Sequence, residues 1–231
     1  MQDWVKHETA KQSMGDARLN RRVAQLLDTL SENPSESLSC SNATWAETFA
    51  AYRFFDNDKA SFDSIMSGHQ AATLERIQKE PVVLVPQDTT FLNFATDSKS
   101  KDMGTLRVKD TDQQLLHTSL AITPHRVNLG IVEGGMRQRP EEKSDSTRAS
   151  LPINQKESHQ WIRHYQRACN IQKVSPDTTI VGITDREGDI HEWFQYVQDV
   201  PEESRDSYII RAKANRALEI DEKSRKRFGT V

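Results

Sequence analysis

The sequence predicts a two-part protein of α/β class: a small all-helical unit over residues 1–80, then a mixed sheet-and-helix domain over 81–231. Three observations lead there. Apolar residues recur at helical spacing as far as Pro81. Beyond it, short β-branched runs appear, bounded by turn residues. Those runs then alternate with helical patterns, the order of a layered fold.

Ser13-Met14-Gly15-Asp16 offers a capping serine with an acid three residues on. Leu19, Val23, Leu26, Leu27 and Leu30 follow at helical spacing, so a first helix is predicted over 14–30, stopped by Asn33-Pro34. Trp45, Phe49 and Tyr52 share one face of a second predicted helix, and core packing is the expectation for that stripe. Ser61 caps a third, with Phe62, Ile65, Met66, His69 and Ile77 turned inward until Pro81 ends it.

Strands are predicted at 82–85, 115–123 and 128–135, the last two joined through Thr123-Pro124-His125-Arg126. The polar stretch 136–156 reads as a surface loop. A helix with Trp161, Ile162, Tyr165, Ala168 and Cys169 on its buried stripe precedes a strand at 178–183. A helix carrying Ile190, Trp193, Phe194 and Val197 precedes a last strand at 207–214. From Leu218 onward no period is apparent.

Composition narrows the function classes. Lys and Arg number 31 against 34 Asp and Glu, a formal charge of -3, so any contact with nucleic acid must come from local patches. Cys40 and Cys169 have no Cys-x-x-Cys spacing, which argues against a zinc site or a disulfide framework and for a reducing, cytoplasmic setting. No apolar run approaches the roughly 20 residues of a membrane span, and the N-terminus lacks a signal-peptide core.

The candidate chemistry lies with two acids. Asp88 follows the apolar run Val82–Val85, and Asp185 follows the run Thr179–Ile183, so the two occupy equivalent places at strand ends. Should those strands be parallel neighbours, the carboxylates meet at one sheet edge and suit a hard divalent cation. Alternatively, each is a cap on the turn that follows its strand. Spacing leaves both readings open.

The surrounding strings resemble one family. Asp185-Arg186-Glu187-Gly188-Asp189-Ile190-His191, behind an apolar strand, resembles the D-R-E-x-D-I-H segment of bacterial DDE transposases of the insertion-sequence-four family. Gln87-Asp88-Thr89-Thr90 is similar to that family's first-aspartate motif. Met14-Gly15-Asp16-x-Arg18, Ala51-Tyr52-Arg53-Phe54, LLHTSL at 115–120, Lys156-Glu157-Ser158-x-x-Trp161 and Ile210-Arg211-Ala212-Lys213 fall in the family's order. Colinearity over about 14–216 is more specific than any single string.

The resemblance implies an RNase H-like catalytic domain behind a helical domain that binds double-stranded DNA at transposon ends. Asp88 and Asp185 are then the first two metal ligands, for Mg²⁺ or Mn²⁺. It also implies DNA contacts by Arg18, Arg21 and Arg22 on the first helix and by Arg211, Lys213 and Arg216 at the last strand; spacing alone favours solvated surface for the helix arginines and leaves the strand cations open. His117 is expected to be a half-buried, hydrogen-bonded strand residue, and Asp189 and His191 to serve as caps or as support for the acids. The family's third ligand, a Glu in a Y-x-x-R-x-x-x-E-x-x-x-x-x-x-K pattern, has no counterpart in this sequence, nor do the helices through which the family forms homodimers. The expectation is an incomplete catalytic domain without cut-and-paste activity of its own, or a DNA-binding product that inhibits a full-length relative.

Overall fold

The structure, a computed structural model, describes residues 1–94, 104–105, 112–137, 151–156, 158–201, 205–213, 217–221 and 224–227. The chain divides into two compact units, Met1–Lys79 and Glu80–Val231.

The first unit is helical: α1 (Asp3–Thr9), α2 (Ala17–Glu32), α3 (Leu38–Ser41), α4 (Trp45–Phe55) and α5 (Phe62–Ile77). Asp16, rather than Ser13, caps α2, its carboxylate accepting the Arg18 N–H at 2.8 Å. Thr44 and Glu47 form a capping box on α4, and Ser61 caps α5 as expected. Met14, Val23, Leu26, Ala51 and Phe54 make the core of α2 and α4. Glu8 of α1 joins α5 by ion pairs to Arg76 and His69. Burial opposes its ionisation, yet these bonds outweigh burial and hold the carboxyl below its usual range.

The Trp45–Phe49–Tyr52 stripe departs from expectation: it faces solvent, with Trp45 77% exposed and stacked on Phe49 at 5.2 Å. Ala51 and Phe54 form a second apolar face on the same helix, and that is the face the core uses. Phe62 is likewise exposed.

The second unit is built on a mixed sheet. β1 (Val82–Phe94), β3 (Asp112–Ile122) and β4 (Asn128–Arg137) form an antiparallel meander, and the short β2 (Gly104–Thr105) also lies on β3. On the other side of β1 run β5 (Thr179–Thr184) and β6 (Ser207–Ile210), both parallel to it, giving β4-β3-β1-β5-β6 across the main sheet. Helices α6 (His159–Val174) and α7 (His191–Asp199) precede and follow β5. An antiparallel meander continued by parallel strands reached through helices is the RNase H-like arrangement.

The larger differences from the sequence reading are in the sheet and its flanks. β1 runs nine residues past Val85, so Asp88 lies within a strand rather than beyond one. Pro86, with no N–H to donate, leaves a gap in the β1–β3 ladder between the Leu84–Ile122 and Gln87–Ser119 pairs, after which the same register resumes. The predicted loop begins inside β4 at Met136–Arg137 and contains a 3₁₀ turn at Ile153–Gln155. The last predicted strand stops at Ile210, and β7 (Ala217–Asp221) and β8 (Ser224–Arg227) form an antiparallel pair where no period was apparent.

One face of the sheet is packed by α6. Trp161, Ile162, Tyr165 and Cys169 join Trp193 and Val197 of α7 in a single cluster, which bears out the predicted stripes on those two helices. Strand alternation places Val83, Val85 and Gln87 of β1 and Ile180 and Thr184 of β5 among the buried positions.

Candidate active site

The acids are brought together by parallel register. β1 and β5 pair in step from Val82–Thr179 to Gln87–Thr184, and the next residues are Asp88 and Asp185. Adjacent strands lie about 4.8 Å apart, which sets the scale of the separation between the two backbones. Asp185 keeps an extended backbone, so alternation carries on past Thr184. With Gln87 and Thr184 buried under α6, Asp88 and Asp185 emerge on the opposite, exposed side.

Each acid uses one oxygen locally. Asp88 Oδ1 accepts the Thr89 N–H at 2.8 Å, and Asp185 Oδ1 accepts the Glu187 N–H at 2.8 Å, capping a 3₁₀ turn over Arg186–Gly188. The capping alternative is therefore real for Asp185, and it does not exclude the other. The second oxygen of each takes no protein hydrogen bond among the described residues. The turn requires glycine at its end, because a Cβ on Gly188 would lie 2.5 Å from Thr184 Oγ1.

A basic segment lies beside the acids. β6 pairs with β5 up to Ile210–Thr184, after which the Arg211 N–H donates to the Thr184 carbonyl at 3.1 Å. Asp88, Asp185 and Arg211 thus stand one step beyond registered pairs on three consecutive strands. Lys213 donates its N–H to Asp189 Oδ2 at 2.7 Å. The Arg211 and Lys213 side chains are exposed, and Arg216 lies outside the described residues.

Behind Asp88 sits a network that the sequence did not reveal. His117 of β3 is buried, more deeply than expected. It bonds to both neighbours of Asp88: Thr89 Oγ1 at Nδ1, 2.7 Å, and Gln87 Oε1 at Nε2, 3.2 Å. Since Gln87 Oε1 only accepts, Nε2 carries the proton and Nδ1 accepts from the Thr89 hydroxyl. The His117 ring meets the His164 ring edge-on at 4.3 Å, and His164 Nδ1 bonds to Ser119. Burial pushes His117 down to about 4 and His164 down to about 3, the latter helped by His117 itself, so both imidazoles are neutral. No local motif signals this network, because His117 comes from β3, distant in sequence.

In the helical unit, Arg18 and Arg21 are exposed and Arg22 is half-buried along α2. Arg18 forks onto Asp16, its Nη2 at 3.0 Å from Oδ2, and that bond holds the Asp16 carboxyl below its usual range. Lys11 lies between α1 and α2 and pairs with Glu75 of α5.

Residues 1–60 match the family model described as transposase DNA-binding. The match covers α1 to α4 and the whole arginine row, and it supports a transposase role with DNA as partner. Among solved structures, the chain is similar to the Mos1 transposase paired-end complex with left transposon end, at 9% identity and a TM-score of 0.29. That likeness covers 83% of this chain and 58% of the other. Among the described residues, no group of three or more His, Cys, Asp or Glu is placed to hold a metal ion, and no helix is long and apolar enough to cross a membrane.

Proposed function

We propose that the chain is part of a DDE transposase of the insertion-sequence-four type, with Asp88 and Asp185 as the first two carboxylates of its phosphodiester-cleaving site. The observation that carries this reading is the placement of the two acids, side by side and exposed at adjacent parallel positions, in a chain whose first 60 residues match a transposase DNA-binding model. Among the described residues, each carboxylate uses one oxygen in a local backbone bond and keeps a second that takes no protein hydrogen bond. Such a donor set suits Mg²⁺ or Mn²⁺.

A bound divalent ion would neutralise the pair and polarise the scissile phosphodiester. The chain's own residues do the rest. Asp88 is fixed from behind by Gln87, Thr89 and His117, Asp185 by its 3₁₀ turn, and Arg211 and Lys213 offer positive charge to the phosphate backbone beside them. The reaction class is attack by water and then by a freed 3′-hydroxyl, without a covalent enzyme intermediate. Completing it calls for a third carboxylate and, by analogy with the family, for two copies of the protein.

Titration of fluorescent duplex DNA over a range of salt tests the DNA-binding half of this reading. The Arg18→Ala, Arg22→Ala double variant is expected to bind more weakly, with a salt slope shallower by about 2. Unchanged affinity and slope would remove α2 from the DNA interface.

A further inference from the structure

We propose that Asp189 is a positioning residue: it latches the basic segment Arg211–Lys213 to the turn that carries Asp185. This rests on the DNA-cleaving function proposed above and concerns how the site's cations are held.

Sheet pairing holds only the start of the segment, because the β5–β6 ladder ends at Ile210–Thr184. Two bonds fix its ends. The Arg211 N–H reaches the Thr184 carbonyl at 3.1 Å, and the Lys213 N–H reaches Asp189 Oδ2 at 2.7 Å across 24 residues of sequence. Three residues are thereby pinned at both ends while the Arg211 and Lys213 side chains remain exposed.

Asp189 is only 7% exposed, and a carboxylate is costly to bury unless its oxygens are bonded; a backbone N–H to a charged acceptor is among the stronger such bonds. Its own placement follows from the turn. Gly188 presses against Thr184 where no Cβ fits, and the Asp189 N–H closes onto the Arg186 carbonyl at 3.4 Å. One short turn therefore sets two things. Asp185 at its start faces outward as a ligand, and Asp189 just past its end faces inward and holds the cations at the level of that ligand. Cations ordered in advance lose less freedom when a phosphate arrives.

The test is a mutant cycle read by anisotropy with a random-sequence duplex DNA at low salt, together with amide hydrogen exchange. Replacing Arg211 and Lys213 by Ala should weaken binding about tenfold and flatten the salt slope. Asp189→Ala should reproduce part of that loss, about threefold, and add nothing to the Arg211→Ala, Lys213→Ala background, since its effect passes through those side chains. Asp189→Asn, whose amide oxygen can still accept the Lys213 N–H, should restore most of the affinity. The Lys213 amide should exchange slowly in the unaltered protein and fast in Asp189→Ala, with β5 amides still protected. Full additivity, or a Lys213 amide equally fast in both proteins, would overturn the latch. If the Arg211, Lys213 double variant bound DNA normally, the DNA face would fail instead, and the Lys213 amide would still decide whether the latch exists.

Discussion

The two faces of β1 at Asp88 use polar residues in opposite ways. On the α6 side, Gln87 and Thr89 are spent on His117, which is itself wedged against His164 and Trp161, so every group serves packing. On the other side, Asp88 and its neighbour Asp185 are exposed, each with an oxygen that takes no protein hydrogen bond among the described residues. The strand's two-residue period thus separates what holds the site from what does chemistry. Substitutions on the two sides should then behave differently.

His117→Ala should give the largest effect. It leaves a cavity and strands Gln87 and Thr89, and a loss of about 3–5 kcal/mol in chemical denaturation is expected. Asp88→Asn, one residue away on the open side, should change stability by less than about 0.5 kcal/mol. Equal losses would erase the distinction between the faces.

Gly188→Ala comes next, since the added methyl must displace Thr184; a loss of about 1–3 kcal/mol is expected by thermal unfolding. Asp185→Ala should be milder. It removes a cap worth about 1 kcal/mol and leaves no clash behind, so a loss of about 1 kcal/mol or less is expected by the same measurement.

Acidity separates the buried groups. His117 and His164, depressed to about 4 and about 3, stay neutral in the folded protein while the unfolded chain protonates below 6.5, so their contribution is full above 6.5 and is lost as pH falls toward 4. Asp206 behaves in the opposite sense. Buried behind Gly182, where a Cβ would come within 3.3 Å of its Oδ2, it is pushed up to about 7. It holds a proton that the unfolded chain has released, and stability gained this way grows as pH falls from 7 toward 4. The opposing effects partly cancel in the unaltered protein, so Asp206→Asn should lose stability more steeply between pH 6.5 and 4. Parallel pH profiles would contradict this assignment.

The sequence was readable where one physical cue dominated. The apolar stripes of α6 and α7 and the core of β5 followed from periodicity, and the equivalent placing of Asp88 and Asp185 followed from the runs before them. Periodicity could not say which of two apolar faces of α4 is buried, so Trp45 was misassigned. It could not extend β1 through Pro86 and the polar residues beyond, because β3, distant in sequence, supplies the bonds that keep those residues in a strand. The joint use of His117 by Gln87 and Thr89, and of Asp189 by Lys213, depends on such long-range pairings and was not visible in any local motif.

The central claim is that Asp88 and Asp185 form one cation-binding pair. Mn²⁺ added to the ¹⁵N-labelled protein should broaden the amide signals of residues 86–90 and 183–187 selectively. That broadening should disappear in both Asp88→Asn and Asp185→Asn. Broadening that spares these residues, or that survives either substitution unchanged, would contradict the account.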